Sequence, residues 1–150
     1  MKFVLLSLIA AAFMAGPHPV QNPSAEPTTR TIKLRLLNGK NGKPIKDDNP
    51  TIWIGDVTHR IERYTDSHGE VVFTVTDIRS QPLRVLPDWY TDCRFKGDSD
   101  AGMQVKYSLE EIITTGVVSE NLCGKRRIDP VPGVLVLYVR ARTFMEKWAL

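Results

Sequence analysis

The sequence predicts a mainly β fold, an antiparallel β-sandwich with two short capped helices. Short runs rich in Val, Ile, Thr and aromatic residues recur between turn residues, which is typical of a two-sheet sandwich. Only two segments carry helix-start signals, too few for the crossover helices that a parallel α/β fold needs. The 150 residues, 42% hydrophobic and 25% charged, have room for one ordinary domain.

The clearest strand begins at residue 31, where Ile32, Leu34 and Leu36 alternate with polar residues. This period of two buries one face of a strand and leaves the other in water. Asn-Gly pairs at 38–39 and 41–42 predict a sharp turn directly after it. Further strands are predicted at 51–57, 61–65, 71–76, 82–87 and 133–140, with a hairpin turn at 65–70.

Two short helices are predicted from capping signals late in the chain. Ser108 and Thr143 each stand three residues before a glutamate, Glu111 and Glu146 respectively. In this spacing the hydroxyl accepts the backbone N–H of the glutamate, and the carboxylate accepts the backbone N–H of the hydroxyl residue. We therefore expect a helix to begin after each hydroxyl residue, and the first to end at Gly116.

The N-terminus has the layout of an export signal. Lys2 precedes an apolar run that ends near residue 15, and a Pro-rich segment follows. We therefore predict a signal peptide at 1–15, a linker at 16–30 and a single domain at 31–150. No run of the sequence reaches the roughly 20 apolar residues of a membrane-spanning helix, so we expect a secreted or periplasmic protein with no stable membrane anchor after cleavage.

The two cysteines predict one disulfide. An exported chain meets an oxidising compartment, and Cys93 and Cys123 allow a single pairing that closes a loop of 30 residues. Such a loop is worth roughly 3 to 4 kcal/mol in the chain-entropy model. A zinc site is not expected, because two thiols without a nearby histidine pair leave a tetrahedral site incomplete.

The first half of the domain resembles a known family. The likeness is carried by the opening strand, a Gly-x-Pro-Ile turn at 42–45 and a Thr-Asp-Ser-x-Gly-x-Val-x-Phe segment at 65–73. Together they resemble the carboxypeptidase regulatory-like domain over about residues 31–87. The resemblance implies a Greek-key sandwich of the transthyretin-like, prealbumin-like or Ig-like kind, used as a non-catalytic accessory module in exported bacterial proteins.

A small hydrolase on a transthyretin-like scaffold is the alternative that the resemblance allows. The hydroxyisourate hydrolases of that fold carry a His near their start and end in Tyr-Arg-Gly-Ser. This chain has no His in 31–37 and ends in Trp-Ala-Leu at 148–150. The hydrolase activity is therefore the second hypothesis, after a module that is not an enzyme.

Four residues are candidates for binding. Trp89 and Tyr90 follow a proline and precede Cys93, and each can either pack against the disulfide or stack on a sugar or peptide. Arg126 and Arg127 lie in a short basic run that is either a solvated loop or a contact for phosphate, acidic polysaccharide or lipid headgroups.

Other polar clusters are interpreted as solvated turns. His59 and His68 have carboxylates close in sequence, but such crowded turns lack the desolvated cleft that tunes catalysis. The oxygen-rich loop at 98–102 lacks the bidentate Glu of a calcium loop, and we interpret 47–49 in the same way. The sequence thus predicts no catalytic residue, no metal site and no cofactor.

Charge and composition narrow the class of partner. A net charge of +3 is well below that of a dedicated nucleic-acid binder, and nucleic acid is not expected outside the cytoplasm. The prediction is a secreted or periplasmic, non-catalytic binding or structural module with a protein or carbohydrate partner of unknown identity. Assembly through exposed edge strands is a third option.

Overall fold

The computed structural model describes residues 28–55, 59–76, 81–95 and 105–147. The mainly β class is confirmed, and these ranges form nine strands and two helices. The strands are β1 (Thr29–Asn38), β2 (Thr51–Ile54), β3 (Arg60–Glu62), β4 (Glu70–Thr76), β5 (Pro82–Leu86), β6 (Tyr90–Asp92), β7 (Tyr107–Ser108), β8 (Val117–Val118) and β9 (Val134–Ala141). The helices are α1 (Leu109–Thr114) and α2 (Phe144–Lys147).

The strands form two sheets. Sheet A has the order β4-β1-β9-β6, with β8 also paired to β9, and sheet B has the order β3-β2-β5-β7. The prediction of purely antiparallel sheets is wrong for sheet A, because β9 runs parallel to both β1 and β8. A parallel pair needs a long connection, and almost the whole domain lies between β1 and β9. Local pattern therefore gave no sign of this pairing.

The main core lies between the two sheets. Alternate residues of β1, β4 and β9 face alternate residues of β2 and β5, and α1 closes one end. The period of two seen in the sequence thus puts the apolar side chains of both layers on their inner faces. The fully buried members include Ile32, Leu34, Leu36, Ile52, Leu83, Leu109, Ile112, Leu135, Leu137 and Val139.

β9 is buried on both faces, which explains its continuous apolar run. Val136 and Tyr138 point away from the main core into a second cluster with Leu37 and Cys93. The chain after β8 crosses this outer face. The Ser119 N–H donates to Val136 O at 2.8 Å, and Ser119 Oγ accepts the Tyr138 N–H at 2.9 Å. Asn121 then donates to Gly39 O, directly after β1. The segment that follows β8 is thus a cover over sheet A.

The predicted disulfide is confirmed. Cys93, directly after β6, is bonded to Cys123 in the covering segment, with their Cα atoms 5.3 Å apart. The bond joins the cover to the edge strand of sheet A, beside the second cluster. No cysteine is free.

The predicted turn and helix signals are also confirmed. Asn38 Oδ1 accepts the Lys40 N–H at 3.0 Å within the 38–43 turn. Ser108 Oγ accepts the Glu111 N–H at 3.3 Å at the start of α1, and the chain turns at Gly116 with φ +83°. At α2 the Glu146 carboxylate accepts the Thr143 N–H at 2.7 Å.

Element boundaries differ from the prediction in a few places. β1 begins at Thr29, two residues before the predicted domain boundary, and the second and third predicted strands end early. The strands β6, β7 and β8 were missed, because two or three residues are too few to show a period. The segment predicted as a signal peptide and most of the predicted linker lie outside the described residues.

Candidate functional site

A buried carboxylate holds the loop that presents Trp89. Asp48, only 1% exposed, lies between β1 and β2, about 40 residues from the loop in sequence. Its Oδ1 accepts the Trp89 N–H at 2.9 Å, and its Oδ2 accepts the Asp88 N–H at 3.2 Å. The Asp48 N–H in turn donates to Thr65 Oγ1 at 3.0 Å. The backbone before and at Trp89 is thereby tied to two other loops.

The loop that carries Trp89 is also held by Arg142, directly after β9. The Arg142 N–H donates to Trp89 O at 3.4 Å, and the Arg142 guanidinium donates to Pro87 O at 3.3 Å. The Trp89 side chain itself remains 62% exposed. Two residues beyond Arg142, α2 adds the exposed side chains of Phe144 and Met145. We call Trp89, Phe144 and Met145 the aromatic edge.

Burial is the main influence on the pKa of Asp48. Desolvation raises the pKa of this carboxyl, and the Trp89 and Asp88 N–H groups and the Arg142 charge oppose that rise. The interpretation of 47–49 as a solvated loop is wrong for Asp48, while Asp47 is exposed. The partners of Asp48 lie far away in sequence, so no local signal distinguishes it from Asp47.

Of the two alternatives predicted for Trp89 and Tyr90, packing against the disulfide is wrong for both rings. Trp89 points into solvent, and Tyr90 opens β6 and packs half-buried against the main core. Cys93 instead belongs to the second cluster, with Leu37, Val136 and Tyr138 on the outer face of sheet A. Because consecutive strand residues face opposite sides, Tyr90 and its neighbours cannot all reach the disulfide.

Arg126 and Arg127 lie in a different part of the surface, on the exposed stretch of the covering segment. The Arg127 guanidinium donates to Gly124 O at 3.2 Å and to Arg126 O at 2.8 Å, which supports the loop. The Arg126 stem lies against Gly42 of the 38–43 turn. The structure therefore brings Arg126 to the turn after β1, with Arg127 next to it in the chain.

A buried ion pair that the sequence analysis missed ties the two sheets together. Arg94 Nη2 lies 2.5 Å from Asp92 Oδ2 and donates to the Tyr107 hydroxyl, so it links β6 to β7. Its guanidinium also lies 5.4 Å from the centre of the Tyr107 ring. Burial raises the pKa of Tyr107 well above 10, so this hydroxyl stays protonated. The group acts as a structural tie between the sheets.

The two histidines occupy different settings. His68 is 78% exposed on the 65–70 turn, with Nδ1 3.4 Å from Ser67 Oγ, in agreement with its interpretation as a turn residue. His59 lines a cleft of about 420 Å³ with Thr74, Thr76 and Gln81. Among the described residues, none that lines this cleft carries a carboxylate. Asp56, which precedes His59 by three residues, lies outside the described residues.

The part of the chain that the structure describes contains no cluster of three or more His, Cys, Asp or Glu side chains placed to hold a metal ion. The oxygen-rich loop at 98–102 lies outside that part. Among the described helices, none is long and apolar enough to cross a bilayer. Comparisons with protein-family models, curated proteins and solved structures find no match to this chain.

Proposed function

We propose that this chain is a non-catalytic binding module of an exported protein, with Trp89 at the centre of its ligand contact. The observation that carries the proposal is an exposed indole on a peptide that is fixed from both sides, by Asp48 and by Arg142. A large exposed ring forgoes the stabilisation of burial. Because its backbone is already ordered, a ligand that stacks on it pays little additional ordering entropy.

The chemistry of the aromatic edge favours a sugar or an extended peptide. Flat rings stack on the apolar face of a sugar ring or on peptide side chains. Phe144 and Met145 are further exposed apolar side chains, and they follow closely on Arg142, whose N–H bonds to Trp89 O. Arg142, which bonds to Trp89 O and shortly precedes α2 in the chain, adds a half-buried cation. A carbohydrate or a protein segment thus remains the proposed class of partner.

The family likeness and the compartment belong to the same proposal. The two-sheet architecture supports a carboxypeptidase regulatory-like, transthyretin-like module, with the Greek-key connection as part of what is proposed. The disulfide supports an oxidising compartment and hence export. Binding loops on a rigid sandwich are a common arrangement in such modules.

The test is a glycan and peptide array with matched surface variants. Trp89→Ala is expected to lower the affinity for the retained ligand about tenfold or more, as for a central aromatic contact. Tyr64→Ala is the control, because Tyr64 is equally exposed but lies between β3 and β4. The proposal fails if the wild-type chain retains no sugar or peptide, or if both variants lose the same affinity.

A second pair of variants separates the ring from its support. Asp48→Ala removes the acceptor of two backbone N–H groups, so we expect faster amide exchange at Asp88 and Trp89 and weaker ligand binding. Asp66→Ala is the control, since Asp66 also accepts two backbone N–H groups, but on the 65–70 turn. Unchanged exchange at Trp89 in Asp48→Ala would contradict the proposed support.

The cleft beside His59 is the observation that favours the alternative function, a small hydrolase. His59, Thr74 and Thr76 all line this cleft, so it holds an imidazole and two hydroxyl residues. The alternative predicts that the wild-type chain hydrolyses activated esters and that His59→Ala abolishes this activity. Activity of that kind, with no ligand retained on the arrays, would replace the binding module by an enzyme.

A further inference from the structure

Two loops that are distant in sequence meet beside the disulfide and form a basic face. The 38–43 turn supplies Lys40 and Lys43, and the covering segment supplies Lys125, Arg126 and Arg127, all of them exposed. We call these five residues the basic face. The turn and the covering segment meet at Cys93–Cys123, outside the main core, and the basic face shares no residue with the aromatic edge.

The two loops are held together by a buried amide. Asn121, 1% exposed, donates from Nδ2 to Gly39 O at 2.8 Å and to Arg126 O at 3.1 Å. Its Oδ1 accepts the Cys123 N–H at 3.1 Å. A Cβ added at Gly124 would lie 2.4 Å from Gly39 O, so the two backbones touch at this point. The relative position of the lysines and arginines is therefore set by the fold.

The charge of the basic face is not neutralised locally. Within the described residues, none of the five cations has a carboxylate within ion-pair distance, whereas Lys33, Arg35, Arg94 and Arg140 all do. The segments 38–43 and 120–129 also contain Glu120 and Asp129, which leaves them a net charge of +3. This equals the net charge of the whole chain, so the rest of the sequence is neutral as a whole.

A cleft of about 310 Å³ runs beside these cations. It is lined by Lys40, Cys93, Phe95, Leu122, Cys123 and Arg140. Lys40 belongs to both the cleft and the basic face, and Leu122 is 51% exposed although it is apolar. Arg140 is already paired with Glu146, so Lys40 supplies the unpaired charge here. The surface therefore combines spaced cations with a recessed apolar floor.

We propose that the basic face and this cleft bind a linear acidic polysaccharide with regularly spaced carboxylates. The flexible lysines and the two adjacent arginines can contact several negative charges along one polymer. The apolar floor can accept the face of a sugar ring. A flat anionic membrane would contact the projecting cations but not the recessed floor. The inference rests on the basic face and this cleft and stands whether or not Trp89 binds a ligand.

Polygalacturonate is the probe, with neutral dextran of similar length as the uncharged control, and binding is measured by calorimetry at low and high salt. The purified oxidised chain is expected to bind polygalacturonate, more weakly as salt rises, and not to bind dextran. Lys125→Ala/Arg126→Ala/Arg127→Ala is expected to weaken binding about tenfold, the size expected for three exposed ion pairs. Lys40→Ala/Lys43→Ala is expected to weaken it as well.

The matched control is Arg30→Ala/Arg60→Ala/Lys106→Ala, which removes the same charge from exposed positions in β1, in β3 and before β7. It should retain binding, because the lost cations lie outside the basic face. Equal weakening in this control would show attraction to net charge only and would overturn the proposal. So would the absence of binding to polygalacturonate at low salt, or binding only to vesicles that contain an anionic phospholipid.

Discussion

Gly39 occupies a position where no side chain fits, although its backbone conformation does not require glycine. A Cβ at this residue would lie 2.4 Å from Cys93 Sγ and 2.8 Å from Cys123 Cβ. The close approach lets the turn after β1 lie directly on the disulfide. By contrast, Gly42 has φ +74° and meets only the stem of Arg126, at 3.5 Å. The two Asn-Gly pairs therefore use glycine for different reasons.

These geometries predict a ranking of two alanine variants. Gly42→Ala should cost about 1 to 2 kcal/mol of unfolding free energy, the penalty of a left-handed backbone for an L-residue. Gly39→Ala should cost more, about 3 kcal/mol, because neither the disulfide nor the Asn121 amide can move away. Urea unfolding of both variants measures the ranking. A smaller loss for Gly39→Ala would mean that the contact at the disulfide relaxes easily.

At the element scale, α2 depends on one carboxylate. Glu146 receives the Arg140 guanidinium in a two-point contact at 2.6 and 2.8 Å, and also the N–H and hydroxyl of Thr143. The Arg140 contact, followed by the Thr143 N–H, holds the pKa of Glu146 well below its ordinary value of 4.5. The last helix is thus attached to β9 by a charged group whose state depends on pH.

The sign of the shift predicts how the attachment responds to acid. A lowered folded-state pKa gives a contribution that is complete above pH 4.5 and is lost as the pH falls towards the lower folded value. Glu146→Gln should therefore reduce stability by about 2 kcal/mol at neutral pH and by progressively less in acid. Chemical unfolding at several pH values measures this. The control is Glu110→Gln, on the exposed face of α1, whose effect on stability should not depend on pH in this way.

At the scale of the whole molecule, the domain is a two-sheet sandwich with a cover on one outer face. The cover reaches from β8 across β9 to the end of β1, and it encloses Val136 and Tyr138. Ser119 and Asn121 attach the cover to sheet A by hydrogen bonds, and the disulfide attaches it covalently. The main core does not depend on it, since that core lies between the sheets.

Loss of the disulfide should therefore loosen the cover and leave the sandwich folded. Cys93→Ala/Cys123→Ala is expected to lower the free energy of unfolding by roughly 3 to 4 kcal/mol, from the entropy of the 30-residue loop. The far-ultraviolet circular dichroism should change little, while amides of 119–124 should exchange faster. A dithiol reductant should have the same effect on the wild-type chain and none on the variant. Loss of all secondary structure would contradict this separation.

Strand positions were largely predictable because they depend on local pattern. The alternation of Ile32, Leu34 and Leu36 identified β1, and the spacing of Thr143 and Glu146 identified the start of α2. The parallel pairing of β1 with β9 was not predictable, since nothing near either strand specifies a partner a hundred residues away. The continuous apolar run of β9 did reflect burial on both faces, but only the structure shows what covers the second face.

The candidate site was predictable by residue type and not by arrangement. Trp89, Arg126 and Arg127 stood out because aromatic residues and arginine are enriched in protein interfaces. Asp48 and Asn121, which hold those loops in place, have ordinary local sequences and act through partners 40 and 82 residues away. Such supporting residues become visible only when distant segments are brought together.

The sequence by itself determined the β class, the turn positions, the two helix caps and the single possible disulfide, because each depends on neighbouring residues or on simple counting. Only the tertiary structure decided which strands pair, which face of β9 is covered, and which polar groups are buried. Those properties depend on contacts between segments remote in the chain. Trp89 is exposed and held in place for the same reason: a carboxylate from another loop satisfies the backbone beneath it.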